Sequence, residues 1–247
     1  MDILETDAYD KRQKRNMSCA LLLSLLPFFL STALYFYMWT PDSPASITSA
    51  VVKSAPVLLL AATVLSWNGG QSILGVVGGL TFSAMGDCCL IWPELFLHGM
   101  GVFAVAHLLY SLAFLSRHYA AYPSSSWKRV LYLILFMVGG CFYIVLYPYL
   151  KKDPMSDLLI PAVGIYIALI TLMGTLAIRS HRKLTVLGGL IFIVSDISLA
   201  LQVFKVVLIE QGNTLVMVAY YLAQLLIAVG DIKAMENKND FSKWKRS

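Results

Sequence analysis

The sequence predicts an all-α, polytopic membrane protein with about eight transmembrane helices. Of its 247 residues, 58% are hydrophobic and only 13% are charged, and the mean hydropathy is +0.72. A soluble domain of ordinary composition carries roughly 25% charged residues. Because a spanning helix needs about 20 mostly apolar residues, the chain has room for eight of them. The short loops between them exclude a separate soluble domain.

Eight apolar segments follow one another along the chain. The predicted spans are residues 17–38, 46–66, 71–92, 97–116, 127–150, 157–178, 184–208 and 213–233. The first span follows the basic run KRQKR, but it exceeds the ~7–15 apolar residues of a signal peptide, so we interpret it as a retained helix. The predicted regions are a basic cytosolic tail at 1–16, a transmembrane domain at 17–233 and a basic cytosolic tail at 234–247.

Positive charge predicts the orientation of these spans. Fifteen of the 19 Lys and Arg residues fall in the two tails, in the loops after spans four and six, or at the span ends that adjoin these segments. Since cytosolic loops are enriched in Lys and Arg, both termini are expected in the cytosol. The net charge of +5 is therefore a topology signal and does not indicate nucleic-acid binding.

The C-terminus resembles a localisation signal. Lys245 and Lys243 stand at the third and fifth places from the end, as in a cytosolic dilysine retrieval signal, which indicates the endoplasmic reticulum. Basic tails beside membranes also occur for electrostatic reasons alone.

Two aspartates lie inside apolar spans, and they are the main functional candidates. They are Asp87 in GGLTFSAMGDCCLIW and Asp196 in GGLIFIVSDISLALQ. An ionised carboxylate at membrane depth costs at least ~2.5 kcal/mol unless it faces protein or water. At 1.5 Å per residue, the two lie roughly 24 Å and 18 Å along helices that run outward from the cytosol. The alternative is a structural role, as an ion pair or as a protonated acid bonded to backbone.

Other polar residues are expected at a similar depth in neighbouring spans, namely Lys53, His107, Tyr220 and Gln224. The lysine would neutralise a carboxylate or bind a phosphate, or would extend its ammonium group to the interface. The other three would serve the site or would only hydrogen-bond helices to one another.

A metal site is not predicted. His98 and His107 are nine residues apart and therefore lie on opposite faces of a helix. The four cysteines all fall in apolar helices without C-x-x-C spacing, so we expect them to be small buried hydrophobic residues. No cofactor is predicted.

Spans three and four resemble spans seven and eight, which indicates an internal repeat. Each pair has Gly-Gly-Leu before its aspartate, and Phe103-Ala-Val-Ala-His-Leu-Leu in span four matches Tyr220-Tyr-Leu-Ala-Gln-Leu-Leu in span eight. Four intervening helices give a 4+4 repeat in parallel orientation, as in some transporters. Short apolar matches also arise by chance in membrane sequences.

Five short motifs in order along the chain resemble the lysoplasmalogenase (YhhN-like) membrane family, especially its vertebrate members. The motifs are Val-Lys53-x-x-Pro56, Phe82-Ser-Ala-x-Gly86-Asp87-x-x-Leu90-Ile-Trp92-Pro, Phe103-x-x-x-His107-x-x-Tyr110, Ser195-Asp196 and Tyr220-Tyr221-x-x-Gln224. They span roughly helices two to eight. Residues 1–16 match nothing in the family.

The resemblance implies a hydrolase that cleaves the vinyl-ether bond of a lysoplasmalogen to a fatty aldehyde and glycerophosphoethanolamine or glycerophosphocholine. Two carboxyl groups can divide such work between a proton donor and a stabiliser of the cation. Asp196 is expected to be the acid and Asp87, with Lys53, the base or cation stabiliser. The substrate-binding or orienting residues would be Lys53, His107, Tyr110, Ser195, Tyr220, Tyr221 and Gln224.

Two other functions fit the residues without the resemblance. Intramembrane acids, a lysine and a repeat are also features of proton-coupled transporters. A non-catalytic lipid-binding scaffold would use the same polar residues only to pack helices.

Overall fold

The computed structural model describes residues 3–38, 45–116, 119, 126–207 and 211–244. These residues form nine α-helices and contain no β-strand. The helices are α1 Ile3–Ser24, α2 Leu26–Met38, α3 Ile47–Asn68, α4 Gly78–Cys89, α5 Phe96–Leu115, α6 Ser126–Leu150, α7 Ser156–Arg179, α8 Lys183–Val203 and α9 Gly212–Trp244. The all-α prediction is confirmed.

Seven helical stretches in the described residues are long and apolar enough to cross a membrane. One of them, Ile47–Cys89, is 43 residues long, about twice what a bilayer requires. Within it, α3 and α4 pack against each other. The predicted number of eight crossings stays a prediction.

Two predicted spans are not single α-helices. The first divides at Leu25, two residues before Pro27, into α1 and α2. The third begins with a 3-10 turn at Gly69–Ser72 and a π-helical turn at Ile73–Val77, and becomes α-helical only at Gly78. Gly69 ends α3 with a φ of +59°, a conformation that glycine adopts without steric cost.

Helical structure also extends beyond the predicted spans at both termini. α1 begins at Ile3, inside the predicted tail 1–16, and α9 continues to Trp244, inside the predicted tail 234–247. The limits of the transmembrane domain and its orientation therefore remain predictions. Lys245 lies outside the described residues, and the side chain of Lys243 is not described.

Six of the helices close into a ring. Along this ring, α3 packs on α4, α4 on α5, α5 on α7, α7 on α8, α8 on α9, and α9 returns to α3. α2 packs against the outside of α3, and α6 packs against α7. Many apolar side chains of α6 are exposed, among them Leu133, Met137 and Ile144, which is expected of a surface that faces lipid.

The packing pattern is the same in the two halves of the chain. In α2–α5 and in α6–α9, each helix packs on the next, and α3 contacts α9 as α7 contacts α5. This is the arrangement expected of a 4+4 repeat in parallel orientation, although the repeat itself stays a prediction.

Glycines allow α4 to lie close to α5. A Cβ atom built on Gly86 would lie 2.6 Å from the ring of Phe103, and one on Gly79 would overlap the ring of Tyr110. Small residues permit this kind of close approach between membrane helices. The carboxylate of Asp87, one residue after Gly86, is thereby brought into the centre of the ring.

Gly79→Ala should therefore destabilise the fold, whereas Gly101→Ala should not. The added methyl group at 79 meets the buried ring of Tyr110, while one at 101 has nothing within 4 Å. Overpacking of this kind costs about 1–3 kcal/mol. Unfolding in detergent micelles, followed by circular dichroism, measures the difference. Equal stability of the two variants would contradict the proposed close packing of α4 on α5.

Candidate functional site

Both intramembrane aspartates line one cavity inside the helix ring. The cavity has a volume of about 380 Å³, and its walls come from α2–α5 and α7–α9. Among the residues singled out from the sequence, its lining includes Lys53, Asp87, Ser195, Asp196 and Tyr220. The structure thus brings together the two aspartates, which are 109 positions apart in the sequence.

Asp87 is held by one cation and one hydroxyl group. Its Oδ1 atom lies 3.7 Å from Lys53 Nζ, and the hydroxyl of Tyr220 donates a 2.7 Å hydrogen bond to its Oδ2 atom. The aspartate is only 2% exposed. A buried carboxylate needs both a counter-charge and hydrogen-bond donors, and Asp87 has both.

Asp196 has a different environment, with a histidine and a neutral hydroxyl group beside it. The hydroxyl of Tyr166 donates a 2.6 Å hydrogen bond to its Oδ2 atom. His107 Nε2 lies 3.3 Å from the same oxygen and 3.0 Å from the Tyr166 hydroxyl. The contact between His107 and Asp196 is an ion pair only when the imidazole is protonated. Unlike a lysine, an imidazole exchanges its proton readily near neutral pH.

Four of the predicted site residues have supporting contacts. The hydroxyl of Tyr110 donates a 2.6 Å hydrogen bond to Gln224 Oε1, and that of Tyr221 donates one of 2.7 Å to the backbone carbonyl of Lys53. His107, Tyr110, Tyr221 and Gln224 are not among the described residues that line the cavity. Their expected role in binding or orienting the substrate stays a prediction.

Ser195 lies between these two groups of residues. It lines the cavity, but its hydroxyl is buried and donates a 3.0 Å hydrogen bond to the carbonyl of Val216. This bond joins α8 to α9 directly beside Asp196, so Ser195 helps to fix the position of the aspartate.

An aromatic side chain fixes the centre of the site. Phe192 is fully buried, and its ring centroid lies 5.0 Å from that of His107, 6.2 Å from that of Tyr110 and 5.6 Å from that of Tyr220. These edge-on contacts favour defined ring orientations. The polar groups of α5 and α9 are thereby held against α8.

Two polar residues with buried contacts in the structure were not predicted from the sequence. Tyr166 is the single polar residue within the apolar run AVGIYIAL, and one tyrosine in such a run does not indicate a role. Asp231, near the predicted end of the last span, was not distinguished from an interfacial charge. Its only signal was the Gly-Asp pair at 230–231, which repeats Gly86-Asp87.

Asp231 is the acceptor of a second buried network, away from the cavity. Its Oδ2 atom accepts hydrogen bonds of 2.8 Å from Asn68 and 2.7 Å from Ser72, and its Oδ1 atom accepts one of 2.8 Å from the hydroxyl of Tyr119. These bonds tie α9 to the turn between α3 and α4. Burial raises the pKa of Tyr119, which lies outside the spans, well above its ordinary value.

A metal centre has no support in the described part of the chain. There, no group of three or more His, Cys, Asp or Glu side chains is placed to hold a metal ion. The expectation that the site works without a metal stays a prediction.

A closed ring of apolar helices around one buried and one half-buried carboxyl group defines an integral membrane protein. The chain belongs to the YhhN family, whose pattern matches residues 48–230. No solved structure matches it.

Several relatives carry the name lysoplasmalogenase, among them two mammalian proteins and one bacterial protein. Over 234 residues the chain is 34% identical to Lysoplasmalogenase TMEM86A of Bos taurus, which covers 88% of this chain and 92% of that protein. It is 35% identical over 206 residues to Lysoplasmalogenase TMEM86B of Sus scrofa, with 83% and 84% covered. It is 30% identical over 187 residues to the Lysoplasmalogenase of Mycobacterium bovis, with 72% and 68% covered.

The ion pair predicts a specific pattern of stability. Lys53→Met should destabilise the protein by about 3–5 kcal/mol, because it leaves the buried charge of Asp87 without its partner. The double variant Lys53→Met/Asp87→Asn should recover most of this loss, since no charge remains to be compensated. Lys151→Met, at an exposed position, is the control and should be neutral. Unfolding in detergent measures the stability of the original protein and of the three variants. A double variant no more stable than Lys53→Met would contradict the pairing.

Proposed function

We propose that the protein hydrolyses the vinyl-ether bond of lysoplasmalogens. The products would be a fatty aldehyde and glycerophosphoethanolamine or glycerophosphocholine. The observation that carries the proposal is one cavity lined by two carboxylates in unlike environments, of which one is paired with a lysine and the other with a histidine and a tyrosine. The names of the relatives, lysoplasmalogenases over most of the chain, support it.

The reaction needs a proton donor close to an alkenyl carbon. A proton adds to the carbon β to the ether oxygen, and the α carbon becomes part of an oxocarbenium ion. Water adds to the α carbon and loses a proton, which gives a hemiacetal. The hemiacetal hydroxyl then loses its proton as the bond to the glycerol oxygen breaks, the glycerol oxygen takes up a proton, and the aldehyde is released. One water is consumed, and the catalytic proton is returned.

Asp196 is the proposed acid. Its neighbours are a neutral hydroxyl and an imidazole, so a proton can reside on the carboxyl group without competition from a fixed positive charge. The hydroxyl of Tyr166 bonds one carboxyl oxygen and leaves the other to donate toward the cavity. His107, in contact with both groups, is placed to return the proton after each turnover.

Asp87 is the proposed base and stabiliser of the cation. Lys53 and Tyr220 hold it as a carboxylate with a defined orientation. A negative charge fixed beside the cavity lowers the energy of a positively charged transition state, and it can also accept a proton from the attacking water. Retaining and inverting glycosidases divide similar work between two carboxyl groups.

Substitution of either aspartate should abolish hydrolysis. Asp87→Asn and Asp196→Asn are expected to lower kcat by about 10³-fold, in the range typical of acid–base groups. Tyr166→Phe should lower it by about tenfold, because one hydrogen bond that orients the carboxyl group is lost. The control Asp157→Asn changes an exposed carboxylate in the first turn of α7 and should leave the rate unchanged.

The assay uses purified protein and a lysoplasmenylethanolamine, with aldehyde release measured in the absence of any ion gradient. Full activity in both aspartate variants would disprove the mechanism. Flux that depends on a proton gradient, without aldehyde release, would identify a transporter. Binding without either result would identify a lipid-binding scaffold.

The proposed location is the endoplasmic reticulum membrane, with both termini in the cytosol. The support is the charge distribution and the Lys243-x-Lys245 pattern of the sequence. Lys243→Ala/Lys245→Ala should move a tagged protein to later compartments, as fluorescence microscopy would show. Asn16 in Asn-Met-Ser should carry no glycan, because a cytosolic tail never meets the glycosylation machinery. A glycan at Asn16 would show that the orientation is the reverse of the proposed one.

A further inference from the structure

A second cavity adjoins the first and is almost entirely apolar. It has a volume of about 90 Å³ and lies between α5, α6, α7 and α8. We refer to it as the tail channel. Seven residues line both cavities, including Phe103, Tyr166 and Asp196. The two cavities therefore share a wall, and the Asp196–Tyr166 pair is part of it.

The two cavities differ in polarity. The described lining of the tail channel contains one residue with a charged side chain, Asp196. The first cavity is also lined by Lys53, Asp87, Ser49 and Asn213, and we refer to it as the polar cavity. A polar chamber and an apolar channel that meet at one carboxyl group match the composition of an amphiphile whose reacting bond joins its two parts.

We infer that the alkenyl chain of the substrate occupies the tail channel, its glycerophospho group occupies the polar cavity, and its vinyl-ether carbons lie beside Asp196. This inference rests on the proposed function and adds the direction in which the substrate lies. It also accounts for the division of work, since the acid at the junction faces the alkenyl carbon while Asp87 and Lys53 face the glycerol side.

Transfer of the tail from lipid gives little binding energy, because lipid is as apolar as the channel. The channel therefore acts by shape, and an obstruction in it should exclude long tails while short ones still bind. The side of α6 that faces the channel has a glycine, Gly139, where a larger residue would obstruct it. Gly139 is thus a specificity-determining position for tail length.

A matched pair of glycines on α6 tests this position. A Cβ atom on Gly139 would lie 2.9 Å from Thr171 Oγ1, whereas one on Gly140 would have nothing within 4 Å, and Gly140 is exposed. Gly139→Leu should lower kcat/KM for long-chain substrates by about tenfold relative to short-chain ones, the scale of an overpacked site. Gly140→Leu should leave the dependence of kcat/KM on tail length as it is in the original protein.

A second variant covers the event that Gly139→Leu fails to fold. Ala200 lies one turn after Asp196 and lines the tail channel but not the polar cavity. Ala200→Phe should likewise lower kcat/KM for long-chain substrates relative to short-chain ones. Ala168→Phe, at an exposed position of α7, should not. Unchanged profiles in both channel variants would overturn the inference.

A binding measurement separates this inference from the proposed function. A non-hydrolysable alkyl-ether lysolipid with a diazirine at the end of its tail is cross-linked to the full-length protein and mapped by mass spectrometry. Saturable cross-links on α6 and α7 are expected. Cross-links on the start of α3 or α9, beside the polar cavity, or cross-links that unlabelled lysolipid does not compete away, would overturn the direction. An intact protein that hydrolyses no lysoplasmalogen would disprove the proposed function, whatever the cross-links show.

Discussion

Lys53 and Asp87 lie 3.7 Å apart inside a ring of apolar helices, where a carboxylate with neither a partner nor water would cost several kcal/mol. Their contact joins α3 to α4, and the hydroxyl of Tyr220 joins α9 to the same carboxylate. Tyr221, the next residue, bonds the backbone carbonyl of Lys53. The charge of one residue thus fixes three helices relative to one another, and the ring closes at this point.

The environment of Asp196 has the same layout with different residues. Each aspartate is contacted by a side chain from the preceding helix, which is Lys53 on α3 in one case and Tyr166 on α7 in the other. Each is also contacted by the last helix of the opposite half, through Tyr220 on α9 or His107 on α5. Where Asp87 has a fixed cation, Asp196 has a neutral hydroxyl. The two carboxyl groups therefore lie in unlike environments.

The sequence predicted the fold class and the two aspartates because both depend on composition and local periodicity. A run of about 20 apolar residues is visible in any window, and an acid within it stands out because its burial is costly. Lys53 was found in the same way. By contrast, the break of the third span at residues 69–77 depends on Asp231, 159 positions after Ser72. No local pattern reports such a contact.

The contacts of individual polar side chains follow the same rule. Tyr166 differs from other membrane tyrosines only in that Asp196 of α8 lies opposite it, and the hydroxyl of Tyr110, which the sequence assigned to binding or orienting the substrate, bonds Gln224. Polar residues in membrane helices hydrogen-bond one another as readily as they bind ligands, so their identity alone does not separate the two roles. The lining of the cavity distinguishes the two roles, since Asp196 and Tyr166 line the cavity whereas Tyr110 and Gln224 do not.

A site built in this way suits a substrate that resides in the bilayer. Since the hydrocarbon tail already lies in an apolar medium, binding energy must come from the polar end and from shape. The polar cavity offers the ammonium of Lys53 and several hydroxyl and amide groups. The tail channel offers only apolar walls that limit the shape of the tail. In the proposed binding mode, the enzyme would recognise where the polar part of the lipid ends and the apolar part begins, which is where a vinyl ether lies. An acid in the wall that the two cavities share would therefore select the bond by position.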